Sequence, residues 1–272
     1  MIKSLESGEL DLAIGLTEGW IASLGNGQAT FRLAGKYVDT PLCWAISTGR
    51  VREEIGSASD LRGNKKLGIS RVGSGSYVMG YVLADQYGWL KPGEEPFEWV
   101  VLDNFKNLRD AVNRKEGKDA DAFMWEHFTS KYVTSLSGSR EQGRKETDGG
   151  RKYYDTQEIR KIGEIYTPWP SWHIVAHSSQ KPEAVTAFAE AVNEGVKYFN
   201  EHLDEAVKWI AGNLDYSEAD GREWLKTVKF SEDCGVVETE VVEKTLGILK
   251  KAGVVKGEQV QAADMVLNLK KA

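Results

Sequence analysis

Residues 60–84 read DLRGNKKLGISRVGSGSYVMGYVLA and contain the pattern that decides the fold. A turn at Asp60–Gly63 precedes a short apolar run, Lys66–Ser70, which predicts a buried strand. The segment after it is rich in glycine and serine, and it leads into a helix predicted over about Gly75–Tyr87. The chain therefore passes from a strand into a helix through a loop that can approach a ligand closely.

The alternation of strand and helix signals continues along the chain. A strand near 98–102, a helix near 105–114 and a strand at 120–125 complete a β-α-β-α-β run, which predicts an α/β sheet. Further strands are predicted at 10–14, in the extended stretch 28–47, at 159–166 and at 172–177, and further helices at 2–7, at 18–24 and along three apolar stripes, Val185–Phe199, Leu203–Leu214 and Val242–Leu249. These stripes are interpreted as core.

Residues 134–152 break this pattern. They read TSLSGSREQGRKETDGGRK, with one aliphatic residue and four glycines. Such a run cannot bury enough apolar surface to offset its ordering entropy, so a disordered surface insertion is predicted. It is interpreted either as a natural loop insertion or as a translated, unspliced intron.

Composition excludes several classes of protein. The net charge is −6 without a basic stripe, which argues against nucleic-acid binding. No apolar run approaches the roughly 18 residues of a membrane span. The first residues lack the apolar segment of a signal peptide, which favours a cytoplasmic location if Met1 is the true start.

Cys43 and Cys234 are far apart and the four histidines do not cluster at ligand spacing, so no metal and no cofactor are predicted.

The best local motif is SRVGSGSY, residues 70–77. Free N–H groups at the start of the predicted helix and two serine hydroxyls could bind a carboxylate, a sulfonate or a phosphate. The motif is neither a Walker loop nor GxGxxG. The alternative is a serine N-cap with glycine in a tight turn, and the residues alone leave the two readings equal.

Aromatic residues give the second signal. The chain has nine tryptophans, and five of them fall at predicted strand ends or in the loops that follow: Trp20, Trp44, Trp125, Trp169 and Trp172. Any one of these is as well explained as core, but together they favour a planar or cationic ligand. Glu18 and Glu126 accompany them and could bind an amine. No nucleophile motif joins the two acids, so no catalytic residue is predicted.

Four stretches together resemble a known family: LESGELDLAIGLTEGWIA (5–22), residues 60–84, DAFMWEHFTSK (121–131) and IRKIGEIYTPWPSW (159–172). They are similar to proteins of fungi and bacteria related to the solute-binding subunits of nitrate, sulfonate, taurine and thiamine-precursor ABC transporters. The resemblance implies a two-lobed, type 2 periplasmic-binding-protein fold that clamps a small ligand by hinge closure, without catalysis. It leaves the ligand and any transporter partner unknown.

Laid onto that fold, residues 1–44 and 172–272 form lobe I, residues 49–168 form lobe II, and Thr167–Pro170 is the return hinge. The resemblance and the motifs together predict a ligand-binding set that faces the cleft: Thr17, Glu18, Gly19, Trp20, Trp44, Ser70, Arg71, Ser74, Gly75, Ser76, Tyr77, Trp125, Glu126 and Trp169.

Two other functions stay open. The same fold hosts a synthase of the thiamine pyrimidine precursor that uses pyridoxal phosphate and iron, but its CCCFC signature has no counterpart among the two separate cysteines here. A protein-interaction module that has lost its ligand is the third interpretation, and no sequence feature supports it.

The start of the chain is also atypical for the resembled fold. A strand, a helix and a second strand usually precede the segment that resembles residues 1–15, so lobe I is expected to lack this first unit. Met1 is then an internal methionine of a truncated gene model, and a signal peptide would have been lost with the missing segment. The alternative is a divergent member that has shed the unit.

Overall fold

A computed structural model describes residues 1–91, 93–131, 158–214, 216–257 and 260–267. The expected insertion at 134–152 lies outside these residues.

In chain order the described strands are β1 (Leu12–Leu16), β2 (Phe31–Val38), β3 (Cys43–Gly49), β4 (Lys66–Ile69), β5 (Glu98–Val101), β6 (Ala122–Glu126), β7 (Ile159–Tyr166) and β8 (Trp172–His177). The α-helices are α1 (Ile2–Glu6), α2 (Thr17–Gly25), α3 (Gly75–Gln86), α4 (Phe105–Val112), α5 (His127–Lys131), α6 (Pro182–Glu201), α7 (Leu203–Asn213), α8 (Glu218–Leu225) and α9 (Thr239–Lys251). The predicted α/β architecture is confirmed.

The larger sheet has the strand order β5-β4-β6-β3-β7. Strand β4 runs parallel to β5 and β6, because helices α3 and α4 provide the crossovers between these strands. Strand β3 is antiparallel to both of its neighbours, β6 and β7. The predicted β-α-β-α-β run therefore forms one half of this sheet, and strands β3 and β7 form the other edge.

The smaller sheet has the antiparallel order β1-β8-β2. Its core contains fully buried side chains such as Phe31 and Leu33, and helix α9 packs on helix α2 beside them. The stripes of α6 and α9 bury Val185 and Val242, as expected. The stripe predicted over Leu203–Leu214 is only partly core, because Val207 is the one buried residue of α7 and the side chains at both ends of the stripe are exposed.

Two segments, residues 39–42 and 167–171, cross between the sheets side by side. The Thr167 amide donates to the Leu42 carbonyl at 3.1 Å, the Leu42 amide donates to Thr167 Oγ1 at 2.9 Å, and the Ser171 amide donates to the Thr40 carbonyl at 3.1 Å. Strand β3 starts at Cys43 and lies wholly in the larger sheet. The chain therefore leaves the smaller sheet before residue 44, where the sequence places the end of lobe I.

One apolar cluster extends through both sheets. It contains Phe31 of the smaller sheet, Met124 of the larger sheet and the rings of Trp44 and Trp169 between them. The elements of the two sheets are thus in direct contact near the crossing segments. Within the described ranges, no helix combines the length and the hydropathy that crossing a bilayer requires.

Candidate functional site

The site begins where β1 passes into α2. Thr17, the first residue of α2, is buried, and its hydroxyl donates to the Pro170 carbonyl at 2.5 Å. The same oxygen lies 2.8 Å from His173 Nδ1. Because Thr17 has one proton and gives it to Pro170, His173 must carry its proton on Nδ1 and donate to Thr17. These bonds fix the start of α2 to the returning crossing segment.

His173 is neutral in this setting. Burial lowers the pKa of its imidazole to about 4, because the charged ring would lose its hydration. Its Nε2 atom has no hydrogen-bond partner in the described part of the chain. The histidine therefore serves as a fixed, uncharged support for Thr17.

Glu18 is the second residue of α2, and its side chain is almost completely buried, with 1% of the residue exposed. One carboxyl oxygen, Oε2, accepts a hydrogen bond from Trp169 Nε1 at 3.0 Å. The other, Oε1, has no partner among the described residues. Burial raises the pKa of Glu18 to about 7, although hydrogen bonds from its own backbone amide and from Trp169 act in the opposite direction.

Helix α3 meets Glu18 from the larger sheet. A β-carbon placed on Gly75, its first residue, would lie 2.8 Å from the Trp44 ring and 2.9 Å from Glu18 Oε1. Only glycine allows this approach. Trp44 Nε1 is also buried without a hydrogen-bond partner among the residues described. The structure thus brings together four of the residues predicted for the site, and two of them have unsatisfied polar atoms.

The serines of the predicted anion motif bond mainly to their own loop. Ser74 is the N-cap of α3 and accepts from the Tyr77 amide at 3.4 Å, and its hydroxyl lies 2.9 Å from that of Ser76. Ser76 Oγ accepts from the Ser70 amide at 3.3 Å. Ser74 is therefore an N-cap, as the alternative interpretation has it, and Ser76 bonds back to the loop. The amides of Gly75 and Ser76, at the first turn of the helix, have no acceptor within the helix itself.

Four other predicted residues lie around this centre with different contacts. Trp20 packs edge-on against Phe31 and donates from Nε1 to the His173 carbonyl at 3.2 Å, so it is a core residue. The hydroxyl of Tyr77 lies 3.2 Å from that of Tyr81, in an aromatic cluster with Trp99. Gly19 is half-buried and Arg71 is exposed.

Trp125 and Glu126 do not form the joint subsite that the sequence suggests. Trp44 pairs with Glu126 and Ala45 pairs with Trp125 in the β3–β6 ladder, so Trp125 lies on the face opposite Trp44. There its ring stacks on Phe105, 5.3 Å away between centroids. Because adjacent strand residues point to opposite faces, a tryptophan and the next residue cannot both face one cleft from a regular strand.

Glu126 has a local structural role. Its carboxylate accepts from the Phe128 amide at 2.9 Å and, through Oε2, from the amide and the hydroxyl of Thr129 at 2.6 and 2.7 Å. These bonds satisfy free donors at the start of α5. The carboxylate is consequently an N-cap and is less available for an external amine.

A cavity of about 550 Å³ lies between the crossing segments, α5 and the C-terminal helices. Most of its wall is apolar or aromatic, and most of the wall is absent from the predicted set: Ile14, Tyr37, Val38, Thr40, Pro41, Leu42, Cys43, Glu126, Phe128, Thr129, Ser171, Trp172, Ile210, Leu214, Tyr216, Asp220, Gly221, Trp224, Thr227, Val228 and Phe230. Sequence reasoning assigned Ile210 and Leu214 to the core, because an apolar stripe does not tell whether it faces packed side chains or a cavity.

A possible metal-ligand set also forms at one end of the larger sheet. The ligand atoms of Cys43, His127 and Glu164 all lie within 4.8 Å of one another. Sequence spacing gives no sign of this set, because the pairing of β3 with β7 brings Cys43 and Glu164 together and the junction from β6 to α5 adds His127. No local signal marks the three residues, since Cys43 and Glu164 lie inside predicted strands and His127 follows another.

Comparisons with known proteins agree with this fold. Residues 44–139 match the family model described as Ca3427-like PBP, where PBP denotes periplasmic binding protein. The structure of the Candida albicans CA3427 gene product is 41% identical to this chain, with a TM-score of 0.81, and the match covers 98% of this chain and 82% of that one. No curated protein matches the sequence.

More distant structures share the fold alone. The alkanesulfonate-binding protein SsuA from Xanthomonas axonopodis pv. citri, bound to MOPS, is 14% identical with a TM-score of 0.69, and the match covers 98% of this chain and 83% of that one. SsuA from Escherichia coli is also 14% identical, with a TM-score of 0.62 and coverage of 98% and 82%. On the strength of the CA3427 match, this chain belongs to the Ca3427-like family, whose members have the fold of the type 2 periplasmic binding proteins.

Proposed function

We propose that this protein binds a small organic ligand between its two sheets and catalyses no reaction on it. The observation that carries the proposal is the meeting of Glu18 Oε1, the Trp44 ring and the first turn of α3 at Gly75, together with the lack of hydrogen-bond partners for Glu18 Oε1 and Trp44 Nε1 among the described residues. Buried polar atoms without partners are costly and uncommon, and a ligand that bonds to them removes that cost.

The donors at this point favour a ligand with an anionic group. Trp44 Nε1 and the amides at the start of α3 are all hydrogen-bond donors, and the helix start carries a partial positive charge. Glu18 adds a carboxyl group that donates when it is protonated and attracts a cation when it is ionised. A zwitterion, or an anion with a polar body, can accept hydrogen bonds from the donors and also bond to the Glu18 carboxyl group.

We assign the planar or cationic part of the ligand to the cavity of about 550 Å³, whose wall contains Cys43, the chain neighbour of Trp44, but no residue of the centre itself. Its aromatic wall, with Trp172 and Trp224, replaces Trp125 as the stacking surface, and a cavity of this size suits a small organic molecule. The relative from Xanthomonas that is bound to MOPS supports this choice, because MOPS joins a sulfonate to a ring amine.

Ligand entry requires the two sheets to separate, because Gly75 and Glu18 are in close contact. The paired crossing segments give a hinge for this motion, since few backbone bonds join the sheets there. Rigid-body opening about residues 39–42 and 167–171 exposes the donors, and closure around the ligand buries them again.

The first test is a thermal-shift and calorimetric screen with MOPS, short alkanesulfonates and zwitterionic amino acids as probes. A binder raises the melting temperature in proportion to its occupancy. Gly75→Ala should weaken binding of any such probe, because the new methyl group intrudes between Glu18 and Trp44. Gly247→Ala is the matched control, since no described atom lies within 4 Å of its added carbon. A probe that binds both variants equally would place the site elsewhere.

The absence of catalysis has its own test. The synthase of the same fold uses pyridoxal phosphate, whose Schiff base with a lysine absorbs close to the visible range. Protein incubated with pyridoxal phosphate and then desalted should show no such band. A stable band that disappears on borohydride reduction would favour the enzyme instead.

A further inference from the structure

The larger sheet places three metal-binding side chains around one point. In the β3–β7 ladder Cys43 lies opposite Tyr166, and Glu164 lies opposite Ala45, two residues along the same face. In the β3–β6 ladder Trp44 lies opposite Glu126, the last residue of β6, and His127 follows it as the first residue of α5, beside the start of β3. The pairing of β3 with β7 and the junction from β6 to α5 therefore bring together a thiol, an imidazole and a carboxylate whose ligand atoms lie within 4.8 Å of one another.

These three groups are the ligand types that Zn²⁺ prefers. A thiolate, an imidazole and a carboxylate oxygen bind Zn²⁺ at about 2.0–2.3 Å, and a zinc site with three protein ligands keeps its fourth position open for a water molecule. The three ligand atoms lie within 4.8 Å of one another, which is wider than such a site requires, so the side chains must rotate toward a bound ion. Cys43 also lines the large cavity, which provides an entry path and room for a water molecule on the open position.

A cation already lies against two of these groups. The Lys161 ammonium is 2.5 Å from Glu164 Oε2 and 3.4 Å from His127 Nδ1, and Tyr166 donates to Glu164 Oε1 at 3.2 Å. About 30% of the Lys161 side chain is exposed, so its ammonium can move into solvent. A positive charge thus lies beside two of the three ligand groups.

We propose that Cys43, His127 and Glu164 form a Zn²⁺ site and that the Lys161 ammonium substitutes for the ion when the site is empty. This site shares no residue with the Glu18–Trp44–Gly75 centre, although Cys43 also lines the cavity assigned above to part of the ligand, and it goes beyond the ligand binding proposed above. Binding releases the thiol proton of Cys43 to solvent and forms a sulfur–metal bond, without any oxidation or reduction.

Co²⁺ is the probe for this site, because it takes the place of Zn²⁺ and is coloured. Titration of the intact protein with Co²⁺ should give a sulfur-to-cobalt charge-transfer band in the near ultraviolet that saturates at one equivalent and is lost when Zn²⁺ is added. Cys43→Ser should abolish the band. His127→Gln and Glu164→Gln should each weaken Co²⁺ binding by more than about 10-fold, the loss typical of disturbing even an outer-sphere partner.

Two controls make the test decisive. Cys234→Ser removes the other buried free thiol and should leave the titration unchanged. Lys161→Ala removes the competing charge without touching a ligand, so it should tighten Co²⁺ binding and remain folded by circular dichroism. A band that survives Cys43→Ser, a band lost in Cys234→Ser, or an affinity unaltered by Lys161→Ala would each overturn the proposal.

Discussion

Glu18 and Glu126 occupy comparable places in the chain, since each lies where a strand passes into a helix and each is close to a tryptophan in sequence. Their hydrogen bonds differ. Glu126 accepts from two amides and a hydroxyl in the first turn of α5. Glu18 makes no cap, accepts a hydrogen bond from the Trp169 indole and keeps a second oxygen without a partner in the described residues. A carboxylate that caps its own helix has a structural role, whereas a carboxylate oxygen without a hydrogen-bond partner in the fold is available to a ligand.

The difference follows from which chain segment reaches each carboxyl group. Glu126 ends β6, so the helix that follows supplies its donors. Glu18 lies inside α2, and its neighbours are Trp169 of the return crossing and Gly75 of α3 in the other sheet. A group enclosed by distant segments is sensitive to how those segments move.

The largest effect is expected at Gly75. Gly75→Val places side-chain atoms within the space of the Trp44 ring and Glu18 Oε1, so the free energy of unfolding should fall by about 2 kcal/mol, as for an overpacked core. The scattering radius should also increase, because opening at the hinge relieves the overlap. Gly247→Val, in an unobstructed position of α9, should stay within about 0.5 kcal/mol of the parent protein by denaturant titration. Equal losses in both variants would show that the sheets are not pressed together at Gly75.

The second effect concerns pH. The folded state holds a proton on Glu18 between pH 4.5 and about 7 that the unfolded chain has released. The contribution of Glu18 to stability is therefore largest at low pH and is lost as the pH rises through this window, with a total change of about 2 kcal/mol between pH 5 and 8. Glu18→Gln removes this contribution, so the variant should gain stability relative to the parent as the pH rises.

His173 contributes with the opposite sign. Its pKa is lowered from 6.5 to about 4, so the unfolded chain binds the extra proton and the stability from His173 rises with pH between 4 and 6.5. The two groups partly cancel in the parent protein, and the difference between parent and Glu18→Gln isolates the glutamate. A difference that stays constant from pH 5 to 8 would contradict the buried, unsatisfied state of Glu18.

The sequence predicted the site around Glu18 better than the one around Glu126. The strand–loop–helix pattern over 60–84 located α3, the resemblance to binding proteins placed Glu18 and Gly75 in one cleft, and the tryptophans at predicted strand ends added Trp44 and Trp169. The contacts among those residues are long-range, and composition could not show that Glu18 Oε1 would remain unsatisfied. The prediction that Trp125 and Glu126 form one subsite was wrong. It assumed that residues adjacent in sequence face the same side, whereas a strand directs them to opposite faces.

The cavity and the cysteine cluster escaped prediction for a related reason. The apolar stripe of helix α7 looks the same whether it fills a core or lines a space. Cys43 and Glu164 are brought together by the pairing of β3 and β7, and His127 lies beside them at the start of α5, an arrangement that is not visible in any local window of sequence. Local patterns therefore set the elements, while the sites depend on how those elements pair.

A third, smaller effect is expected at Glu126. Glu126→Ala leaves the first-turn donors of α5 without their acceptor, so the free energy of unfolding should fall by about 1 kcal/mol, as for loss of an N-cap. Glu126→Asp shortens the side chain but can still cap, so it should recover most of the loss. Denaturant titration of the three proteins provides the measurement. If the aspartate variant is no more stable than the alanine variant, the cap does not account for the role of Glu126.

The smallest effect distinguishes the two tryptophans of the β3–β6 ladder. Trp44→Phe removes a buried N–H that has no partner in the described chain, so stability should change by less than about 1 kcal/mol, while a bound anionic probe loses one hydrogen bond and about fivefold in affinity. Trp125→Phe keeps an aromatic ring against Phe105 on the other face and should leave that affinity unchanged. Calorimetry with one probe on both variants measures the contrast. Equal losses of affinity would mean that the ligand contacts both faces of the sheet, which a cleft on the Gly75 side does not allow.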